Sequence, residues 1–245
     1  MVGPDEYGDG EHYDHEYGAW EPDGPFYERL AGRYGGPVLE LGCGTGRIAL
    51  ALAGQGFAVV GVDVAPAMLA RARAKSSGLS VEWVEADCRT LNLGRRFRTA
   101  IMAANGFQHL VSADDQTAAM GAVFRHLEPA GVFAFTVRNP MANEDARDVA
   151  EEYPWHSYRD GQGHEVRVSG YHRWKPATHT LVYTTIRRVG GAVDRSDLTL
   201  RFAPIPWLIE NLRRTGFRTV TVSAGFADEP FDETTSQDAV IVAET

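Results

Sequence analysis

Short apolar segments and amphipathic segments alternate along the first 140 residues of the chain. The apolar segments, rich in β-branched residues, predict strands at residues 38–41, 58–62, 81–86, 99–104 and 132–137. Between them, residues 47–55, residues 66–75 and a segment from Asp114 or Asp115 to Leu127 carry helix start and stop signals. Strands separated by helices form parallel sheets with right-handed crossovers, so the pattern predicts an α/β fold with a doubly wound, mostly parallel sheet.

The pattern changes after residue 140. Residues 164–174, 180–189 and 196–202 are rich in β-branched and aromatic residues and are separated by turn residues, which indicates a small antiparallel insertion. A helix at 204–215 and strands at 217–222 and 239–243 then bring the main sheet to seven strands. We therefore expect an N-terminal arm (1–28), a ligand-binding core (29–140), an insertion that covers the sheet's open edge as a lid (141–203), and the end of the core (204–245).

The composition is that of an ordinary globular protein. Of 245 residues, 44% are hydrophobic and 23% are charged, which fits one large domain with a modest insertion. No apolar run approaches the roughly 18 residues of a membrane-spanning helix, and the acidic N-terminus lacks the order of a secretory signal. Two cysteines, Cys43 and Cys88, give no disulfide framework. We expect a soluble, cytoplasmic protein with no membrane partner.

The net charge of −9 is concentrated at the N-terminus. Residues 1–28 hold nine acidic residues and neither Lys nor Arg, so the remaining residues have 24 acids and 24 bases and are neutral. Nucleic-acid affinity depends on cationic contacts with phosphates, and a neutral body with an acidic arm disfavours that partner.

The main candidate for a binding site is the turn after the first strand, which contains Gly42, Gly44 and Gly46. Glycines there let the backbone approach a ligand closely, and the helix that follows offers free amide groups. Asp63 ends the second strand, where a carboxylate can accept both ribose hydroxyls, and Asp87 ends the third, where it can meet an adenine amino group. Together these residues predict a nucleotide-like ligand.

The spacing of the glycines argues against a dinucleotide. The third glycine of a Gly-x-Gly-x-x-Gly fingerprint would fall at Arg47. The sequence Glu40-x-Gly42-x-Gly44-x-Gly46 instead resembles the first motif of the class I S-adenosylmethionine-dependent methyltransferases, which are Rossmann-like. Residues 61–69, 85–88 and 127–131 are similar to later motifs of this family, although Ala130 stands where the family usually has Gly. The pattern is nearest to the subset that methylates nitrogen in small molecules and sugars.

The resemblance implies S-adenosylmethionine as cofactor and a role for each matching position. The implied contacts are Gly42, Cys43 and Gly44 for the methionine part, Glu40 and the Ala104 backbone for its amino group, Asp63 for the ribose, and Val64, Met68, Asp87 and Cys88 for the adenine. In the resembling subset the arm folds over the cofactor, which makes the arm's aromatic residues Tyr13, Tyr17 and Trp20 further candidates.

The acceptor side is expected after the fourth and fifth strands. His109 is the candidate catalytic residue, and its role as a base, a substrate hydrogen-bond donor or a structural cap stays open. The candidate acceptor contacts are Phe107, Arg138, Asn139 and, from the insertion, Tyr171. No His, Cys, Asp and Glu residues show metal-ligand spacing, so we expect no metal.

Macromolecular acceptors are disfavoured by two motifs. DNA adenine methyltransferases carry Asn-Pro-Pro-aromatic where this chain has Asn105-Gly106-Phe107-Gln108, and cytosine methylation needs a Pro-Cys turn that is absent. We therefore expect methyl transfer to a nitrogen or oxygen of a small molecule, with nitrogen slightly preferred. The alternatives are a nicotinamide-dependent oxidoreductase and a non-catalytic protein that binds S-adenosylmethionine; a homodimer is also left open.

Overall fold

The computed structural model describes residues 7–18, 22–139, 142 and 146–245. The helices are α1 (Gly10–Tyr17), α2 (Gly24–Tyr34), α3 (Arg47–Gly54), α4 (Pro66–Lys75), α5 (Ala113–His126) and α6 (Ile205–Thr215). The first five strands are β1 (Val38–Leu41), β2 (Val59–Asp63), β3 (Val81–Glu85), β4 (Phe97–Met102) and β5 (Leu127–Arg138). They are followed by β6 (Val149–Arg159), β7 (Glu165–Lys175), β8 (Thr180–Val189), β9 (Ala192–Arg201), β10 (Thr219–Ala224), β11 (Glu229–Pro230) and β12 (Asp238–Glu244).

The main sheet has the order β11-β10-β12-β5-β4-β1-β2-β3. Strands β1 to β5 are mutually parallel. Strand β12 pairs antiparallel with β5, and β10 pairs antiparallel with β12, so β10 runs in the same direction as the first five strands. The α/β prediction is confirmed; the sheet differs from it by an eighth strand, β11, of two residues. The strand order reverses between β1 and β4, and a ligand is expected in the crevice at their carboxyl ends.

The side chains of β1 point alternately to the two faces of the sheet, and one layer of the core lies on each face. Leu39 and Leu41 pack into the cluster that includes α5 and α6, and Val38 packs into the one that includes α2 and α3. The period of two in a strand also points Glu40 toward α2 and α3. A carboxylate is therefore buried directly before the glycine turn.

The insertion forms a second, antiparallel sheet of order β6-β7-β8-β9, which we call the lid sheet. The predicted insertion is thus confirmed as a small antiparallel sheet, but its first strand, β6, was not predicted. Most residues of β6 are exposed, and the strand contains Pro154 and two register shifts against β7. Edge strands tolerate such features. Because these features interrupt the alternation of polar and apolar residues, sequence analysis did not identify the strand.

The described part of the arm, residues 7–18 and 22–28, contains helix α1 and the start of α2. Asp9 caps α1 by accepting hydrogen bonds from the backbone N–H groups of Glu11 and His12. Helix α2 begins at Gly24, five residues before the predicted start of the core. Among the described residues, no helix is both long and apolar enough to span a membrane.

Candidate functional site

The turn between β1 and α3 depends on its glycines. Gly42, Gly44 and Gly46 have φ angles of 63°, 54° and 84°, a region that side chains with a Cβ rarely adopt. A Cβ on Gly42 would meet no atom within 4 Å, and one on Gly44 would meet only Met68 Cε at 3.8 Å. There is consequently open space in front of this turn, as a ligand lying against the backbone requires.

Asp63 joins the glycine turn to the end of β2. Its carboxylate accepts hydrogen bonds from the backbone N–H groups of Gly44 (2.7 Å) and Ala65 (2.9 Å). Burial raises the pKa of Asp63, although these backbone hydrogen bonds oppose the shift. An ionised carboxylate has about four acceptor positions, so two hydrogen bonds leave capacity for ribose hydroxyls.

Glu40 is the most perturbed carboxyl group of the site. Its side chain is 3% exposed, and its Oε2 atom has no hydrogen-bond partner among the described residues. Burial raises the pKa of Glu40 to about 8; Arg47 opposes this shift, while the charges of Asp23 and Asp63 add to it. A buried carboxyl oxygen without a partner among the described residues, two residues before Gly42, fits a ligand that supplies a cationic donor such as an amino group.

The adenine side of the predicted site contains both buried and exposed groups. Met68 lies buried beneath Gly44, whereas Val64 is 62% exposed. Asp87 binds Arg89 through the guanidinium and the backbone N–H, and these hydrogen bonds lower its pKa. Arg89 also pairs with Asp115 at 2.6 Å. Asp87 is therefore ionised and held in place, with its carboxylate shared with a neighbouring guanidinium.

The two cysteines of the site are not nucleophiles. Cys43 is buried, and burial raises the pKa of its thiol. Cys88 is half-buried, and burial raises its pKa to about 12. Thiols of this kind stay protonated at neutral pH, so these positions can contribute backbone and packing contacts only.

Backbone strain marks the end of β4. Ala104 and Asn105 have φ angles of 49° and 61°, which cost energy for residues other than glycine. A 3₁₀ turn, Gly106–His109, follows directly. The Gln108 side chain bonds the main chain of Arg138, accepting from its N–H at 3.0 Å, so the turn is fixed to the end of β5.

Phe107 corrects the sequence prediction. It was expected to contact the acceptor, but it is fully buried and stacks on Phe135 with ring centroids 4.3 Å apart. It therefore belongs to the core beneath the 3₁₀ turn. Gln108, which fixes the turn, was missed because its partner lies on another strand and leaves no local signal.

His109 lies against the arm. Its Nε2 atom is 3.3 Å from the Tyr7 hydroxyl, and the two rings meet edge to face. Tyr7, Tyr13 and Tyr17 form a row with successive centroids 5.8 and 5.0 Å apart. Trp20, the third predicted arm contact, lies outside the described residues. The arm thus brings a row of phenol rings to the 3₁₀ turn. That Tyr13 and Tyr17 contact the cofactor stays a prediction.

Two further predicted acceptor contacts, Arg138 and Asn139, bind different parts of the structure. The Arg138 guanidinium donates to the Tyr183 hydroxyl at 2.8 Å and lies 5.3 Å from the ring centroids of Tyr183 and Phe202. The Asn139 amide donates to the carbonyls of Glu233 (2.7 Å) and Ser236 (2.8 Å), which holds the loop before β12.

Tyr171 is a second correction. In β7 the His172 ring lies 5.5 Å from Tyr183, on the side of the lid sheet that meets Arg138. Consecutive strand residues point to opposite faces, so Tyr171 lies on the outer face. Tyr183, which sequence analysis missed, takes its place beside Arg138.

The residues described by the structure contain no group of three or more His, Cys, Asp or Glu that could hold a metal ion.

Comparisons with known proteins bear on this site directly. Residues 38–131 match the model of a family described as a methyltransferase domain. The chain is 28% identical over 203 residues to the putative methyltransferase YqeM of Bacillus subtilis (strain 168), with 79% of this chain and 78% of the relative covered. It is 36% identical over 124 residues to the cypemycin N-terminal methyltransferase of a Streptomyces species, covering 49% of this chain and 50% of the relative. The solved structure of the CcbJ methyltransferase from Streptomyces caelestis superposes with a TM-score of 0.84 at 26% identity, covering 97% of each chain.

Proposed function

We propose that this chain, which belongs to the class I S-adenosylmethionine-dependent methyltransferases, transfers a methyl group to a nitrogen atom of a small-molecule acceptor. The observation that carries the acceptor side is the pair of His109 and Tyr7 at the end of β4. Strand β4 is adjacent to β1, whose glycine turn holds the cofactor, so the pair lies beside the cofactor site.

The cofactor is held by residues of three strand ends and the arm. Glu40 is placed to receive its amino group, Asp63 its ribose, and Asp87 its adenine. Bound there, S-adenosylmethionine supplies a methyl group on a positively charged sulfur. The chain's own contribution is to orient that group and to exclude water with the arm's phenol rings, because displacement at carbon depends mainly on proximity and alignment.

His109 and Tyr7 would manage the acceptor's proton. An amine must present a free electron pair, and an imidazole within reach can accept the proton that the ammonium form carries. The Tyr7 hydroxyl can donate to or accept from the imidazole, which fixes the orientation of the ring. Arg138 of the core donates a hydrogen bond to Tyr183 of the lid sheet, and this pair would form another wall of the acceptor site.

Nitrogen is preferred over oxygen for two reasons. The cypemycin relative is named as an N-terminal methyltransferase, so its acceptor atom is a nitrogen. A hydroxyl acceptor needs stronger base assistance than an amine, and the base candidate that supports the proposal is a single imidazole, His109.

The first experiment tests cofactor binding by a thermal-shift titration with S-adenosylhomocysteine and, separately, NADH. A ligand at about 100 times its dissociation constant adds about 2.7 kcal/mol, a rise in Tm of roughly 5–10 °C for a chain of this size. We expect this rise with S-adenosylhomocysteine only, with its loss in Asp63→Ala and its retention in Asp114→Ala, an exposed matched control.

The second experiment measures transfer of a radiolabelled methyl group to panels of small amines and small alcohols or phenols. We expect transfer to amines, reduced about 10²-fold or more in His109→Ala and unchanged in His164→Ala, whose ring is 60% exposed at a lid turn. Transfer to hydroxyls alone would replace nitrogen by oxygen in the proposal. Tight cofactor binding without transfer to any acceptor would instead favour a non-catalytic binding protein.

A further inference from the structure

Helix α1 has too few residues to hold its own position. It spans eight residues, and none of its apolar or aromatic side chains is fully buried; Gly10 is the one residue of the helix that is buried as a whole. Isolated helices this short are marginal in water. Its place in the fold must therefore come from the groups that it contacts.

One set of contacts joins α1 to the cofactor side of the core. The Asp14 carboxylate accepts from Thr45 Oγ1 at 2.6 Å, from Arg71 Nε at 2.7 Å and from Lys75 Nζ at 2.9 Å. Thr45 belongs to the glycine turn, and the two cations belong to α4. Gly10 reinforces this contact, because a Cβ there would lie 2.6 Å from Arg71 Cβ.

A second set joins the same helix to the lid sheet. The Glu16 side chain is fully buried, and it accepts from Arg187 Nε of β8 at 2.7 Å. It also pairs with His156 of β6 at 3.2 Å. Arg187, itself 7% exposed, donates onward to Ser196 of β9. Two of the four lid strands thus contact one carboxylate of the arm, and a third is joined to it through Arg187.

The two anchors lie two residues apart, and the tyrosine row runs along the same helix. Tyr17 Oη is 3.5 Å from Arg187 Nη2, and Tyr7, at the other end of the row, meets His109. The arm is therefore a wall shared by the cofactor site and the acceptor site. A cofactor that contacts the glycine turn and the tyrosine rings binds this docked arrangement better than one in which the arm is released.

We propose that Asp14 and Glu16 are positioning residues that couple the two sites, so that cofactor binding orders the lid sheet through α1. The inference rests on the proposed function, in that it places S-adenosylmethionine at the glycine turn. Asp14 couples ligand binding at the glycine turn to docking of α1, and Glu16 couples docking of α1 to ordering of the lid sheet. Since such coupling is reciprocal, a bound acceptor must also increase the affinity for the cofactor.

The test is amide hydrogen exchange of the full chain with and without S-adenosylhomocysteine, which needs no acceptor. In wild type we expect the ligand to slow exchange in the arm and also in β6 and β8, by up to about a hundredfold at 100 times its dissociation constant. Glu16→Gln should keep the dissociation constant within about threefold and keep protection of the arm, but lose protection of the lid. Asp14→Asn should weaken ligand binding about tenfold or more.

Glu11→Gln is the matched control. It removes an equal charge from the same helix at a side chain that is 65% exposed and lies 4.0 Å from His15. It should leave ligand binding and both patterns of protection unchanged. Circular dichroism and melting of each variant without ligand separate lost coupling from lost folding.

The outcomes distinguish the coupling from the cofactor assignment. Failure of wild type to bind S-adenosylhomocysteine overturns the assignment, and the coupling with it. Binding that protects the arm but leaves wild-type β6 and β8 unprotected overturns the coupling alone, and this result needs no variant to fold. Lid protection that survives in a folded Glu16→Gln shows that the signal does not pass through Glu16 and also overturns the proposal.

Discussion

If Glu40 binds the amino group of the cofactor as proposed, cofactor binding should depend on pH by an amount that can be calculated. Its pKa is raised to about 8 by burial, so about nine-tenths of the free protein carries a neutral Glu40 at pH 7. A cationic amino group at Oε2 favours the charged carboxylate, which lowers the pKa in the complex. Binding at pH 7 must then release about 0.9 proton.

The affinity follows from the same linkage. If the pKa in the complex falls well below 6, the apparent dissociation constant of S-adenosylhomocysteine should decrease about ninefold between pH 6 and pH 7. The ligand's own α-amino group, with an ordinary pKa near about 7.8, stays largely protonated over this interval. Glu40→Gln keeps the shape of the side chain and removes the titration, so its affinity should be nearly flat.

The assay is isothermal titration calorimetry of both proteins at the two pH values, in buffers of different ionisation enthalpy. The buffer dependence reports the protons released, and the difference between wild type and Glu40→Gln removes contributions from other groups. Equal pH dependence in the two proteins, or no proton release in wild type, would refute both the raised pKa and the contact with the amino group.

Stability provides an independent check with a definite sign. The pKa of Glu40 is higher in the folded protein than its ordinary value of 4.5, so the group favours folding below that value. This contribution is lost as the pH rises toward about 8. Between about pH 5 and pH 8, the unfolding free energy of wild type should fall relative to Glu40→Gln by about 1.4 kcal/mol per pH unit, measured by urea denaturation.

Three further predictions concern stability and are measured by chemical denaturation. Gly61→Ala should cost about 1–3 kcal/mol, because its Cβ would lie 2.5 Å from the Trp83 ring, and should cost less in a Trp83→Leu background. Ala130→Gly should stabilise by up to about 1 kcal/mol, since φ is 60° there; destabilisation would contradict the strain. Asp23→Asn should cost about 3–5 kcal/mol by leaving Arg47 without its fully buried partner, and an effect below about 1 kcal/mol would contradict this role.

The cofactor side could be predicted because its signals are local in sequence. The glycines of the first turn adopt the positive φ angles that their residue type allows, and Asp63 follows its strand directly. Ala130 stands where the family usually has Gly, and its φ of 60° is a conformation for which glycine is favoured.

The acceptor side could be predicted only in part. Phe107 and His109 are two residues apart in one short turn, and nothing in their types shows that the first is buried in the core while the second meets the arm. For Tyr171 and His172, strand alternation already separates the two faces, but which face meets the core depends on how the lid sheet packs. Such packing joins segments that are far apart in sequence, and it produces no periodic pattern of residue types from which it could be predicted.

The charge pattern of the acidic arm is visible in the sequence, but the ion pairs that its residues make are not. In the sequence analysis, nine acids followed by a neutral body argued against a nucleic-acid partner, and they did not show which cations the arm contacts. In the structure, Asp14, Glu16 and Asp23 each pair with cations of the body, at α4, at β8 and at Arg47. Glu16 and Asp23 are also fully buried, which a free acidic tail would not tolerate without partners. The body's apparent neutrality thus includes cations that are already paired with acidic residues of the arm.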